Sequence, residues 1–333
     1  MFESASNFLL AAAPEITPLR LIAMFAILIG GLTSGCLTGN RLKSPAQLAR
    51  KIMTVVLVCF NWPIALLVIW PMELKKDLIW LPLIGLVLML SVTAFSAMLF
   101  PSLKSKPKSW LTFILAGGVS NQGYTGGAFV CYALFGAPGI ALAQIFLFLS
   151  LPVFYLVYLP LLKIYEFQSG KNNKRSILNF LLDFRMLIMP AMLIAILLNR
   201  SALKPPAFIM ELHIVDILVY IASSLSFFAV GLQVNLSALK NYTNLYLPLA
   251  AVKFILTPAL AVVLLWLLAL AGQDLNTLAR RVIIVLSASP SAVLMVTMSN
   301  VFDLDGPLAS ALWVVTMAVF AVVVVPVLFL IFT

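Results

Sequence analysis

Apolar residues gather into long uninterrupted blocks, at roughly 19–39, 52–71, 78–100, 110–134, 139–163, 186–200, 214–234, 244–271, 280–301 and 307–332. A helix needs roughly 20 apolar residues to cross a hydrocarbon core about 30 Å thick, so the pattern predicts ten transmembrane helices. The fold class expected is an all-α polytopic membrane protein. Connections between blocks are short, with one exception. The stretch 165–183 reads EFQSGKNNKRSILNFLLDF, and its centre, Gly170 to Ser176, is the most hydrophilic part of the chain. It divides the sequence into a first five-segment block (1–165), a central loop (166–183) and a second five-segment block (184–333).

The two blocks resemble each other. The fourth segment reads LAGGVSNQGYTGGAFVCYALFG and is followed by a fifth carrying Pro152 and Pro160. The ninth reads VLSASPSAVLMVTMSNVFDLD and is followed by a tenth carrying Pro326 after Gly306-Pro307. Phe135 and Phe302 are separated by nearly the same stretch of chain as Pro160 and Pro326, so the register holds. A block with an odd number of crossings places its copy upside down, which predicts two inverted repeats of five helices, the architecture of many secondary transporters.

Composition narrows the function. Of 333 residues 63% are hydrophobic and 10% charged, with a mean hydropathy of +1.12, against about 45–50% and about 25% for soluble domains. Little chain is left for a soluble domain, which excludes a large-cored cytoplasmic enzyme, a pump with its own nucleotide domain and a nucleic-acid binder. The net charge of +10 belongs in loops facing the cytoplasm or anionic lipid. Arg41, Lys43, Arg50, Lys51, Lys104, Lys106 and Lys108 fall in alternate connections of the first half, and Lys163, Lys171, Lys174, Arg175 and Arg185 in or beside the central loop. The positive-inside rule then places both termini outside a cell membrane, plasma or bacterial inner. The second half dissents, with Arg200, Lys204, Arg280 and Arg281 outside against Lys240 inside. The first eighteen residues, with Glu3, Pro14, Glu15 and Pro18 around the run Phe8 to Ala13, make a poor signal peptide.

The chemistry concentrates at two interruptions. Inside a bilayer, irregular backbone survives only where it is buried in protein or lines a cavity. The fourth segment carries Gly117, Gly118, Gly123, Gly126 and Gly127 around Ser120, Asn121, Gln122, Tyr124 and Thr125. The ninth carries Ser287, Ser289, Pro290 and Ser291. Pro290 removes one backbone hydrogen bond. Broken crossing helices 4 and 9 are therefore expected to meet near the midplane, their half-helix N-termini presenting unpaired N–H groups and about half a positive charge. The guest suited to such a site is an anion. The competing reading gives the glycines to close helix packing and the serines to backbone carbonyls.

The residues Asn121-Gln122-Gly123-Tyr124-Thr125-Gly126-Gly127-Ala128, then Leu134-Phe135-Gly136 and Gly139, resemble the Asn-x-Gly-x-x-Gly-x-Pro break of the auxin efflux carrier (PIN-like) family. That family belongs to the bile/arsenite/riboflavin transporter superfamily. Ala288-Ser289-Pro290-Ser291-Ala292 is similar to its second break, and Phe228-Ala229-Val230-Gly231-Leu232 to its glycine-bearing seventh segment. Ala128 stands where the family often has proline, so the first break relies on glycine. The resemblance implies ten helices, with segments 4 and 9 crossing in a transport domain. Segments 1, 2, 6 and 7 would form a scaffold and homodimer face. It also implies elevator-like or rocking transport of small organic anions, typically carboxylates, with Asn121 and Pro290 as the crossover residues.

Further substrate-site candidates rest on position. Gln144, one turn into the fifth segment, either donates to a carboxylate or bonds between helices. Asn61, beside Trp62-Pro63, either walls the cavity or caps a proline kink. Lys253, nine residues into the eighth segment, either serves substrate or gating or snorkels to an interface. Cys36, Cys59 and Cys131 read as core-like thiols, and His213 as a loop or helix-end residue. No cofactor and no metal site is expected. No Asp or Glu falls in the middle of any segment, which disfavours tight proton or sodium coupling. The expectation is a secondary transporter exporting a small organic anion down the membrane potential. The alternatives are a sodium-coupled symporter of the bile-acid type, an integral-membrane enzyme and a receptor.

Overall fold

A computed structural model describes residues 18–99, 101–168, 188–201, 203–234, 239–273 and 275–332. The early run Phe8 to Ala13, the centre of the interblock loop and Arg185 lie outside them. The described residues form helices without strands: α1 (Pro18–Gly39), α2 (Pro45–Ile69), α3 (Trp80–Leu99), α4 (Pro107–Gly118), α5 (Gly127–Leu147), α6 (150–168), α7 (Ile188–Arg200), α8 (Ile214–Gly231), α9 (Thr243–Leu270), α10 (Thr277–Ser287), α11 (Val293–Val301) and α12 (Gly306–Phe332). Seven helical stretches among them are long and apolar enough to cross a membrane. Their length and composition make the chain an integral membrane protein. Large apolar side chains such as Leu247, Val322 and Leu330 stand on its outside, where water would disfavour them and lipid does not.

Local chemistry sets the helix ends. Pro45, Pro107 and Pro307 occupy first-turn positions of α2, α4 and α12, where their missing N–H costs nothing. Asn276 caps α10 by accepting the Ala279 N–H at 2.7 Å, and Asp305 caps α12 by accepting the Leu308 N–H at 3.1 Å. Within the long helices, widened π turns occur at Leu57–Asn61, Phe154–Tyr158, Val252–Leu256 and Phe320–Val324. Each is followed two residues later by a proline: Pro63, Pro160, Pro258 and Pro326. A proline ring collides with the carbonyl one turn back and offers it no N–H. Widening the turn relieves both problems without breaking the rod. At Pro258 the neighbouring Thr257 hydroxyl donates to the Val252 carbonyl at 2.7 Å.

Helices α1, α2, α7 and α8 pack together. Gly31 and Gly35 of α1 let α8 approach so closely that a Cβ on Gly35 would collide with the Phe228 carbonyl. Asn199 at the end of α7 donates to the Trp70 and Met72 carbonyls at 2.7 and 2.6 Å, joining it to the end of α2. A second group places α3 and α12 beside α4, α10 beside α5, and α9 beside α12. Helix α5 also touches α1, α2 and α8, and it turns sharply at Gly136, whose φ of 65° suits glycine. His213 sits exposed at the start of α8, and of the cysteines only Cys131 is buried in the core, Cys59 facing outward.

Candidate functional site: the crossing of two interrupted helices

The short helices α4, α10 and α11 and the part of α5 before its turn at Gly136 meet at two loops, 119–126 and 288–292. At about 1.5 Å per residue, the 12 residues of α4 and the 11 of α10 reach about 17–18 Å, roughly half a bilayer. The loops run antiparallel, bridged at Ser120 and Ser291. The Asn121 N–H donates to the Pro290 carbonyl at 2.7 Å, and the Ala292 N–H donates to the Val119 carbonyl at 3.0 Å. Side chains complete the junction. Ser291 Oγ donates to the Ala116 carbonyl at 2.7 Å, while its N–H reaches Thr316 Oγ1 at 3.3 Å. Gln122 Nε2 donates to the Leu286 carbonyl at 3.1 Å, so it caps the end of α10. Lys253, from α9, donates to the Gly117 carbonyl at 2.9 Å and to Ser120 Oγ at 2.6 Å.

A cavity of about 270 Å³ opens beside this junction. Its wall includes Ser120, Asn121, Gln122, Gly123, Thr125, Gln144 and Asn61 of the predicted site. Ser289, Pro290, Ser291 and Lys253 lie behind that wall. Asn121 faces the cavity but its amide is already committed: Oδ1 accepts from Thr125 Oγ1 at 2.8 Å and Nδ2 donates to the Thr125 carbonyl at 3.1 Å. It braces the loop. Ser226 of α8, Thr257 of α9 and Tyr124 also line the cavity, none of them singled out as a site residue from sequence. Ser226 reads in sequence as one more small residue of a packing helix, and the signal near it is the stretch Phe228 to Leu232 with its single Gly231.

Polar capacity remains inside this wall. Asn61 Oδ1, Gln144 Oε1 and Ser226 Oγ are buried without hydrogen-bond partners. Gln144 Nε2 meets the Tyr124 hydroxyl at 2.9 Å. Because that phenol can donate as well as accept, turning the Gln144 amide over keeps the bond and places its NH₂ where the unpartnered oxygen now lies. The N–H groups of Val293 and Leu294, the first two of α11, have no acceptor among the described residues, and both residues border the cavity. The other half-helix start departs from expectation. The Gly127 and Ala128 N–H groups donate to the Asn121 and Gln122 carbonyls, both at 3.0 Å. The loop folds back on its own helix, so the first two amides of α5 are satisfied while the first two of α11 are not. Among the described residues no Asp, Glu, Lys or Arg lines the cavity, and apart from Ser150 the rest of its wall is apolar, with Leu88, Val92, Leu147, Phe154 and Met192.

A scan against protein-family models finds none that matches this chain, and a search of curated proteins finds no match.

Proposed function

We propose that this protein is a secondary transporter that moves a small organic anion, most naturally a carboxylate, through the cavity at the helix crossing. The carrying observation is the cavity wall: Asn61, Gln144 and Ser226, each with an unpartnered oxygen, line it together with the start of α11, and among the described residues no carboxylate does. Such a lining solvates negative charge by dipoles alone, and the facing apolar side chains suit a short hydrocarbon body. A cavity near the lower end of the usual small-molecule range points to a small cargo.

The ten-crossing, inverted-repeat architecture belongs to the same reading. The π turns at Phe154–Tyr158 and Phe320–Val324, each closed by its proline, stand at equivalent places in the two halves. The two loops cross antiparallel, as copies related by inversion would. Helices α1, α2, α7 and α8 then make the scaffold, and a second copy docks on it. The resemblance of both loops to the auxin efflux carrier family supports the same assignment. With the termini outside and the cytoplasm negative, each expelled elementary charge gains about 2.3 kcal/mol per 100 mV.

The test is efflux of radiolabelled small carboxylates from proteoliposomes held at a set potential in sodium-free buffer. Potential-dependent efflux that collapses in Gln144→Ala together with Ser226→Ala supports the reading. Absence of flux for every mono- and dicarboxylate tried overturns it, and strict sodium dependence replaces it with the symporter alternative.

A further inference from the structure

Lys253 lies within the π turn of α9 and is completely buried. Its two acceptors, the Gly117 carbonyl and Ser120 Oγ, are both neutral. Ion pairs form elsewhere, at Lys75–Glu73, Lys108–Asp303 and His213–Asp216, and among the described residues no carboxylate pairs with Lys253. A membrane-buried ammonium without a counter-ion is costly, so dipoles must compensate. Gly117 is the penultimate residue of α4, and carbonyls at a helix C-terminus concentrate about half a negative charge. The two preceding carbonyls are occupied: Leu115 accepts the Val119 N–H at 2.9 Å, and Ala116 accepts Ser291 Oγ. The Gly117 carbonyl is left for the ammonium. Half-helix C-terminal carbonyls at an interrupted helix are the groups that hold an alkali ion in cation-coupled carriers, and a hydroxyl oxygen is an equally hard ligand.

We propose that the Lys253 ammonium is a tethered cation standing where a coupling ion would bind, so that the crossing carries its own positive charge and needs no sodium from solution. The charge stays one residue behind the cavity wall, since Ser120 lines the cavity and Lys253 does not. It thereby adds a favourable potential for an anion without contacting it. The consequence for coupling rests on the carrier reading, while the site itself does not.

The test compares Lys253→Ser, which removes the ammonium and opens room beside Gly117 and Ser120, with Lys253→Met, which keeps bulk without charge. Melting of the purified proteins is followed in sodium, potassium and N-methylglucamine chlorides at equal ionic strength. The wild type is expected to melt at one temperature in all three. Lys253→Ser should melt lower in N-methylglucamine and regain at least half of that loss, saturably, in sodium; Lys253→Met should melt lower in every salt. The proposal is overturned if Lys253→Ser ignores the cation, if the wild type is stabilised by sodium, or if neither Lys253→Ser nor Lys253→Ala can be recovered folded in sodium. Because melting needs no cargo, these outcomes are separate from success or failure of the efflux experiment.

Discussion

The Asn121 N–H and the Pro290 carbonyl meet at 2.7 Å, joining two chain breaks separated by more than half the sequence. Each break would be expensive alone in a membrane, because its backbone groups have no water to turn to. Together they satisfy one another, Ala292 returning a bond to Val119. The junction is a short antiparallel pairing embedded in a helical protein, and the cavity is what remains beside it.

Asn121→Ala should destabilise the loop before it affects any cargo. Both amide atoms bond Thr125, at 2.8 and 3.1 Å, and two such bonds in a buried loop contribute about 1–3 kcal/mol. A melting temperature several degrees below wild type without ligand is the expected outcome. Thr125→Val, which removes the hydroxyl bond but keeps the Thr125 carbonyl for Asn121 Nδ2, should lose less. An alanine variant that melts like wild type would show that the brace is dispensable.

Two glycines on one helix should behave oppositely. Around Gly30 a Cβ meets nothing within 4 Å, whereas at Gly35 it would strike the Phe228 carbonyl and come within 2.9 Å of the Gly231 Cα. Backbone cannot swing aside, so Gly35→Ala must push α1 off α8. Size-exclusion profiles should show a monodisperse Gly30→Ala protein and a strongly reduced or aggregated Gly35→Ala one.

Tyr132 of α5 donates to Asp216 Oδ1 of α8 at 2.5 Å, and His213 Nδ1 lies 3.2 Å from the other carboxylate oxygen. This is a polar link between the α5 group and the α1–α8 group. Tyr132→Phe should cost about 1.5–3 kcal/mol, the range for bonds to a charged acceptor. It should also raise hydrogen exchange in the first turn of α8 more than elsewhere. Unchanged exchange over residues 213–218 would count against the link.

The Lys108–Asp303 pair, at 2.8 Å with both side chains half exposed, should matter little, as exposed pairs do. Its hydrogen bond to Asp303 raises the Lys108 ammonium above its usual value, against a smaller desolvation effect. A raised lysine contributes fully below its unfolded value of about 10.4 and loses that contribution only as pH climbs through the folded one. The melting difference between wild type and Lys108→Met should therefore be small and the same at pH 6 and pH 9. A difference that grows between those values would refute the assignment.

Much of this architecture can be read along the chain, because a bilayer admits few ways to bury a polar backbone. Long apolar runs become helices, and Gly, Asn and Pro inside them mark the interruptions at 117–127 and 287–291. The prolines at 63, 160, 258 and 326 are equally visible, yet the π turns they impose depend on how each rod accommodates a missing N–H. Ser226 and Thr257 carry no distinguishing signal in the sequence, because a lone hydroxyl in an apolar helix most often bonds its own backbone. Which face it presents to a cavity is a fact about neighbouring helices.

The sequence by itself determined that the chain enters a membrane, where its helices run and where two of them break, since hydropathy and backbone chemistry are local properties. Tertiary structure decided which polar groups at those breaks remain uncommitted. Asn121 and Gln122 line the cavity yet spend amide groups on holding backbone, the first two α5 amides fold onto their own loop, and Lys253 comes from α9 to the end of α4. Those outcomes depend on distances between segments remote in the chain, and only packing sets such distances.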